Sequence, residues 1–152
     1  MKSRRRSPRS SRPCPTISRA RQTRLVLVDD DPTIRAAVTR FVGLHGIRVE
    51  AFAHGREALR WLAARPSDLL ITDVHMPESD AVEVIRAARR LHRGLAIIAI
   101  SVVDSFGSNH LKTARLLSAT HVLGKPFELR QLFELSQRAL GCPLGSAACD
   151  EN

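Results

Sequence analysis

Short apolar runs alternate with helical periodicity through the middle of this chain. Leu25-Val26-Leu27-Val28 is uninterrupted, the pattern of a strand covered on both faces. Ile34, Ala37, Val38 and Phe41 then recur on one helix face, and Gly43 and Gly46 end that helix. Ile47 to Phe52 predicts a second strand, and Arg56 to Ala64 a second helix that stops before Pro66. Asp68 to Thr72 predicts a third strand. Val82, Ile85 and Ala88 mark a third helix that stops at Gly94. Leu95 to Ile100 is apolar throughout and predicts a fourth strand. Leu111 to Leu117 predicts a fourth helix, Val122-Leu123 a short fifth strand, and Leu129 to Leu140 a fifth helix.

Strand followed by helix, five times over, implies an α/β fold with a five-stranded parallel sheet and helices on both faces. A nucleotide-binding order 3-2-1-4-5 is one solution, but the Gly-x-Gly-x-x-Gly loop it needs after the first strand is missing. The flavodoxin-like order 2-1-3-4-5 is preferred.

Composition changes this picture at the ends. The 152 residues suit one domain. Residues 1–23 are rich in Arg, Ser and Pro and are read as a disordered basic arm. Residues 24–140 carry the periodic pattern, and 141–152 read as a flexible tail. The net charge of +9 belongs to the arm: nine basic and no acidic residues fall within 1–24, and the other 15 basic residues are matched by 15 acidic ones. The three cysteines (Cys14, Cys142, Cys149) lie outside the central body, which fits a reducing cytoplasm better than a disulfide framework. They and the six histidines lack metal-ligand spacing. No apolar run reaches the roughly 18–20 residues that cross a bilayer, and no apolar stretch of a leader follows the arginines. A cytoplasmic location is expected.

Polar residues stand at four predicted strand ends: Asp29-Asp30-Asp31, Asp73, Ser101 and Lys125. In open parallel sheets the ligand crevice lies beyond the carboxyl ends of the strands, so these residues should converge. Carboxylates brought together repel, and a hard cation with few protein ligands and room for water, Mg²⁺, relieves that repulsion. A lysine and a hydroxyl opposite it would hold an oxyanion. One carboxylate amid Mg²⁺, Lys and Ser is equipped to take up a phosphoryl group.

Val28-Asp29-Asp30-Asp31-Pro32, Asp73-Val74-His75-Met76-Pro77, Ser101 and Lys125-Pro126-Phe127 together resemble the CheY-like receiver domain of bacterial response regulators, over roughly residues 24–140. CheY is itself a standard example of the 2-1-3-4-5 order. The resemblance implies that Asp73 is the phosphoacceptor and Asp30 a direct metal ligand, with Asp29 acting through metal-bound water. It implies that the backbone carbonyl of His75 is a third protein ligand. Ser101 would bond the phosphoryl group, Lys125 would pair with a phosphoryl oxygen, and the Lys125–Pro126 peptide would be cis. The implied protein is a two-component switch, not an enzyme, phosphorylated by a sensor histidine kinase or a histidine phosphotransfer protein. It would signal by contact with a downstream protein through residues around Leu111–Leu117 and Val122–Leu140. With few residues after 140, a stand-alone receiver is expected.

The chain departs from the family pattern in places. Ser79-Asp80-Ala81 replaces the usual Met-Asp-Gly, Val122 replaces a common aromatic, and Val102 follows Ser101 where Ala or Gly is usual. The loop Val103 to Asn109 is expected to be longer than in most receivers.

Other readings stand beside this one. Asp29-x-Asp31-x-Thr33 after an apolar strand also resembles the first motif of haloacid-dehalogenase-type phosphatases, with Asp29 as nucleophile and Asp31 as acid/base. That reading leaves Asp73 to Pro77 unexplained. Asp31 before Pro32 also suits a plain helix cap. The arginine arm reads as a solubilising tail, as a start placed too early, or as a salt-sensitive contact with nucleic acid or an anionic surface.

Overall fold

The computed structural model describes residues 22–75, 81–102 and 119–141. In chain order these form β1 (Arg24–Val28), α1 (Pro32–Gly43), β2 (Arg48–Phe52), α2 (Gly55–Ala64), β3 (Leu69–Asp73), α3 (Ala81–Leu91), β4 (Ala96–Val102), β5 (His121–Lys125) and α4 (Leu129–Leu140). The helix expected at Leu111–Leu117, the long loop from Val103, the Ser79-Asp80 departure, the arm and the tail beyond Gly141 lie outside the described residues.

All five strands are parallel, in the order β2-β1-β3-β4-β5. The flavodoxin-like order is therefore the observed one. Each strand alternates its side chains between two separate cores, as pleated strands must. Val26, Val28, Leu70, Ile97 and Ala99 point to one face, where Ala58 and Leu62 of α2 and Ile85 and Ala88 of α3 cover them. Leu25, Leu27, Leu69, Ile71, Ile98 and Ile100 point to the other, under Val38 and Val42 of α1 and Leu132 of α4. This double cover explains the unbroken apolar strands read from the sequence.

Element ends follow local chemistry. The Asp31 carboxylate accepts from the Thr33 N–H at 2.8 Å, and Pro32 opens α1 with a fixed φ and no N–H to satisfy. Gly46 follows α1 at φ 74°, and Gly141 closes α4 at φ 68°, both in the left-handed region glycine enters without a Cβ clash. Observed strands differ from expectation at their ends: β3 runs one residue further, to Asp73, and β5 spans His121–Lys125 rather than two residues. Backbone pairing to β4 holds these polar extensions, and apolar pattern carries no signal for it.

Candidate phosphoacceptor site

The carboxyl edge of the sheet gathers the residues singled out by sequence. Asp29 follows β1, Asp73 ends β3, Ser101 lies near the end of β4, and Lys125 ends β5. Register sets their levels. Asp73 lies beside Ile100, Ser101 beside Gly124, and Val102 beside Lys125.

The Lys125 side chain crosses this edge. Its Nζ donates to Asp73 Oδ2 at 2.7 Å and to Asp29 Oδ2 at 3.1 Å. Asp29 and Asp73 are buried, and the Lys125 side chain is 18% exposed. Two carboxylates thus share one ammonium. The remaining oxygens are also engaged: Asp29 Oδ1 accepts from the Asp31 N–H at 2.9 Å, and Asp73 Oδ1 from the His75 N–H at 2.8 Å. Burial pushes the Asp29 carboxyl above its ordinary value, against the pull of the Asp31 N–H and Lys125. For Lys125 burial acts to lower the value. The hydrogen bonds and charges of Asp73 and Asp29 outweigh it and hold the ammonium above its ordinary range.

Asp30 is exposed beside this pair. One carboxylate oxygen from each of Asp29, Asp30 and Asp73 lies within 4.8 Å of the others. Three hard oxygen donors, with one member open to solvent, fit a cation that keeps several waters, as Mg²⁺ does. His75 is exposed directly after Asp73 in the same loop. Ser101 is buried, and its hydroxyl donates to the Val102 carbonyl at 3.4 Å. The Lys125–Pro126 peptide is cis.

Residues 25–137 match the response regulator receiver domain family. The chain belongs to that family. This receiver domain is 36% identical over 110 residues to the response regulator MprA of Mycolicibacterium vanbaalenii, an alignment covering 72% of this chain and 46% of that protein. It is 29% identical over 119 residues to the DNA-binding transcriptional regulator NtrC of a Bradyrhizobium species, covering 78% of this chain and 24% of the relative. The receiver thus spans about a quarter to a half of these curated relatives. Among solved structures it resembles the chemotaxis protein CheY4 of Vibrio cholerae, with a TM-score of 0.72 and 30% identity over 79% of this chain and all of that one. A CheY-like receiver from Methanospirillum hungatei superimposes with a TM-score of 0.73 at 23% identity, covering 80% and 95% of the two chains. Receivers of two-component response regulators are phosphorylated on an aspartate, and this is the function of the family. The phosphatase reading of Asp29 and Asp31 falls away, because the family is the receiver family and the Asp31 carboxylate is occupied in capping α1. Among the described residues no helix is long and apolar enough to cross a membrane.

Two features of the site escaped the sequence reading. Arg35 Nη1 donates to the Asp29 carbonyl at 2.6 Å, tying the first turn of α1 to the loop that carries the acids. The position, one turn beyond Asp31, was visible; the direction of the side chain was not. A cavity of about 530 Å³ also opens beside Lys125, lined by Thr33, Ile34, Ala37, Val102, Phe127 and Leu129 among others. It joins three distant segments, and the sequence order does not announce it.

Proposed function

We propose that this receiver domain accepts a phosphoryl group on the Asp73 carboxylate, in a Mg²⁺-dependent reaction, from a sensor histidine kinase or a histidine phosphotransfer protein. The Lys125 ammonium, held between Asp29 and Asp73 at the carboxyl edge, carries this reading. It places a positive charge beside the Asp73 side chain, where phosphoryl oxygens arrive. The Asp73 oxygen attacks phosphorus as the P–N bond of phosphohistidine breaks, and the leaving imidazole keeps the electron pair and takes a proton.

Asp29, Asp30, Asp73 and the His75 carbonyl would hold Mg²⁺, with Asp29 acting through water. When bound, the ion supplies positive charge against the phosphoryl oxygens. The His75 N–H fixes the orientation of Asp73 through Oδ1. Lys125 follows the incoming phosphoryl group, and Ser101 turns its hydroxyl toward it. Both movements register the new charge in β4 and β5. The domain then acts as a switch, handing its state to a downstream protein by contact, and is not an enzyme in its own right. A cytoplasmic setting fits this partnership.

The deciding experiment is incubation of the full chain with acetyl phosphate and Mg²⁺, read by intact mass beside Asp73→Asn. One phosphoryl group should be gained, dependent on Mg²⁺ and absent from the variant. Labelling of Asp73→Asn at the same rate would overturn the assignment.

A further inference from the structure

The two helical layers differ in charge. On the α2/α3 side, residues 55–65 and 81–94 hold seven arginines, no lysine and two acids, Glu57 and Glu83. Four arginines stand in α1 and α4 on the other side. Arg56, Arg60, Arg65, Arg86, Arg90 and Arg93 are all exposed, while Ala58, Leu62, Ile85 and Ala88 of the same helices are buried against the sheet. Arg56 and Arg60 are one turn apart on α2. Arg86, Arg90 and Arg93 follow one another turn by turn along α3 and just past its end. None of these five forms an ion pair with a described residue, whereas Arg130 on α4 is paired with Glu134. Arg65 lies over the Trp61 ring at 3.8 Å, and the Arg89 guanidinium ties down the Arg93 and Leu95 carbonyls.

We infer that the α2/α3 face is a binding surface for the phosphodiester backbone of duplex nucleic acid. Successive turns space the arginines by about 5–6 Å along each helix, so a row of them can meet successive phosphates of one strand. The planar guanidinium fork matches phosphate oxygens in a way an ammonium does not. A membrane fits this face poorly, because the apolar sides of both helices are spent on the sheet and nothing is left to enter the acyl layer. A protein partner also fits poorly. The centre of such an interface is poor in charge and rich in buried apolar area, whereas this face is crowded with like charges and, among the described residues of these two helices, exposes one large hydrophobe, Leu91.

The surroundings agree. The chain enters β1 at the amino edge of the sheet, where Arg24 pairs with Asp68 ahead of β3. Helices that return between parallel strands end at this edge, which puts Arg65 and Arg93 at the same edge as Arg24, the first residue of β1. The acids Asp29, Asp30 and Asp73 sit at the opposite edge, so a polyanion on α2/α3 leaves the phosphoacceptor crevice open.

The test uses the full chain with a labelled 20-base-pair DNA duplex and an RNA duplex of the same sequence, read by anisotropy between 50 and 200 mM salt. The variants are R60Q/R86Q/R90Q and, on the opposite layer, R40Q/R130Q/R138Q. If three phosphate contacts are lost, the slope of log K against log salt falls by about 2.7 in the first variant, equivalent to about 40-fold over this salt range. The second variant should keep the wild-type slope. Circular dichroism and acetyl-phosphate labelling of both should match the wild type, which separates a failed surface from a failed fold. Stronger binding to one duplex names the nucleic acid. The inference is overturned by a wild-type slope in R60Q/R86Q/R90Q, by an equal loss in both variants, or by binding to phosphatidylserine vesicles with neither duplex bound. Asp73→Asn should bind as wild type, so the outcome does not depend on the phosphoacceptor assignment.

Discussion

Replacing Lys125 by methionine keeps the aliphatic stem and removes the positive charge that, among the described residues, bonds both buried acids. In the wild type that ammonium lies 2.7 Å from Asp73 and 3.1 Å from Asp29. Breaking a buried pair by removing one partner costs about 3–5 kcal/mol, because the other charge is left buried and unpaired. The Lys125 side chain is 18% exposed, so water relieves part of this, and the low end, about 3 kcal/mol, is expected in EDTA at neutral pH. For a domain of this size that is about 12 °C in melting temperature, taking an unfolding entropy of about 2 cal/mol/K per residue. Mg²⁺ should restore much of the loss, since it replaces the missing positive charge without competition from the ammonium. The variant should therefore bind Mg²⁺ more tightly than wild type while taking up phosphoryl groups more slowly. Thermal melts with and without Mg²⁺, with a Mg²⁺ titration followed by intrinsic Trp61 fluorescence, measure both effects. A melting temperature within about 2 °C of wild type in EDTA, or Mg²⁺ stabilising both proteins equally, would refute the shared-ammonium argument.

Asp29→Asn should stabilise the metal-free protein at neutral pH. Burial raises the carboxyl of Asp29, so its ionised form costs stability above the unfolded value, and that cost is recovered as pH falls through the raised folded value. The advantage of the variant in EDTA should shrink on acidification, and a constant difference would contradict this. Asp31→Ala removes the N-cap of α1 and should cost about 1 kcal/mol in urea unfolding while phosphoryl uptake persists. Val102 is 45% exposed beside Lys125, so Val102→Ala should speed labelling by acetyl phosphate, and an unchanged rate would remove it as a gate to small donors. Leu62→Ala, in a fully buried position of α2, should cost about 2–5 kcal/mol by leaving a cavity, read from the urea midpoint.

Much of this architecture was legible along the chain. Strands covered on both faces must be apolar at every position, so Leu25 to Val28 and Leu95 to Ile100 declared themselves. The cap at Asp31 is a local matter of a carboxylate two residues from an N–H, and Pro32 beside it confirmed the start of α1. The ends of β3 and β5 were less legible. Asp73 and Lys125 are polar, and they join their strands because β4 lies alongside, a neighbour that apolar pattern does not contain.

The chemistry divides in the same way. Sequence by itself determined which residue types stand at strand ends, that Asp29, Asp73, Ser101 and Lys125 recur after apolar runs, and that the sheet is parallel. Those are consequences of short-range pattern and of the rule that ligands gather beyond carboxyl ends. Tertiary structure alone decided that one ammonium serves two acids 96 and 52 positions away. It also decided that Arg35 anchors the Asp29 carbonyl and that arginines from two separate helices share one face. Each depends on side chains that no local signal aims at one another. The sheet packs distant segments to bury their apolar faces, and which polar groups then meet is set by strand order and register.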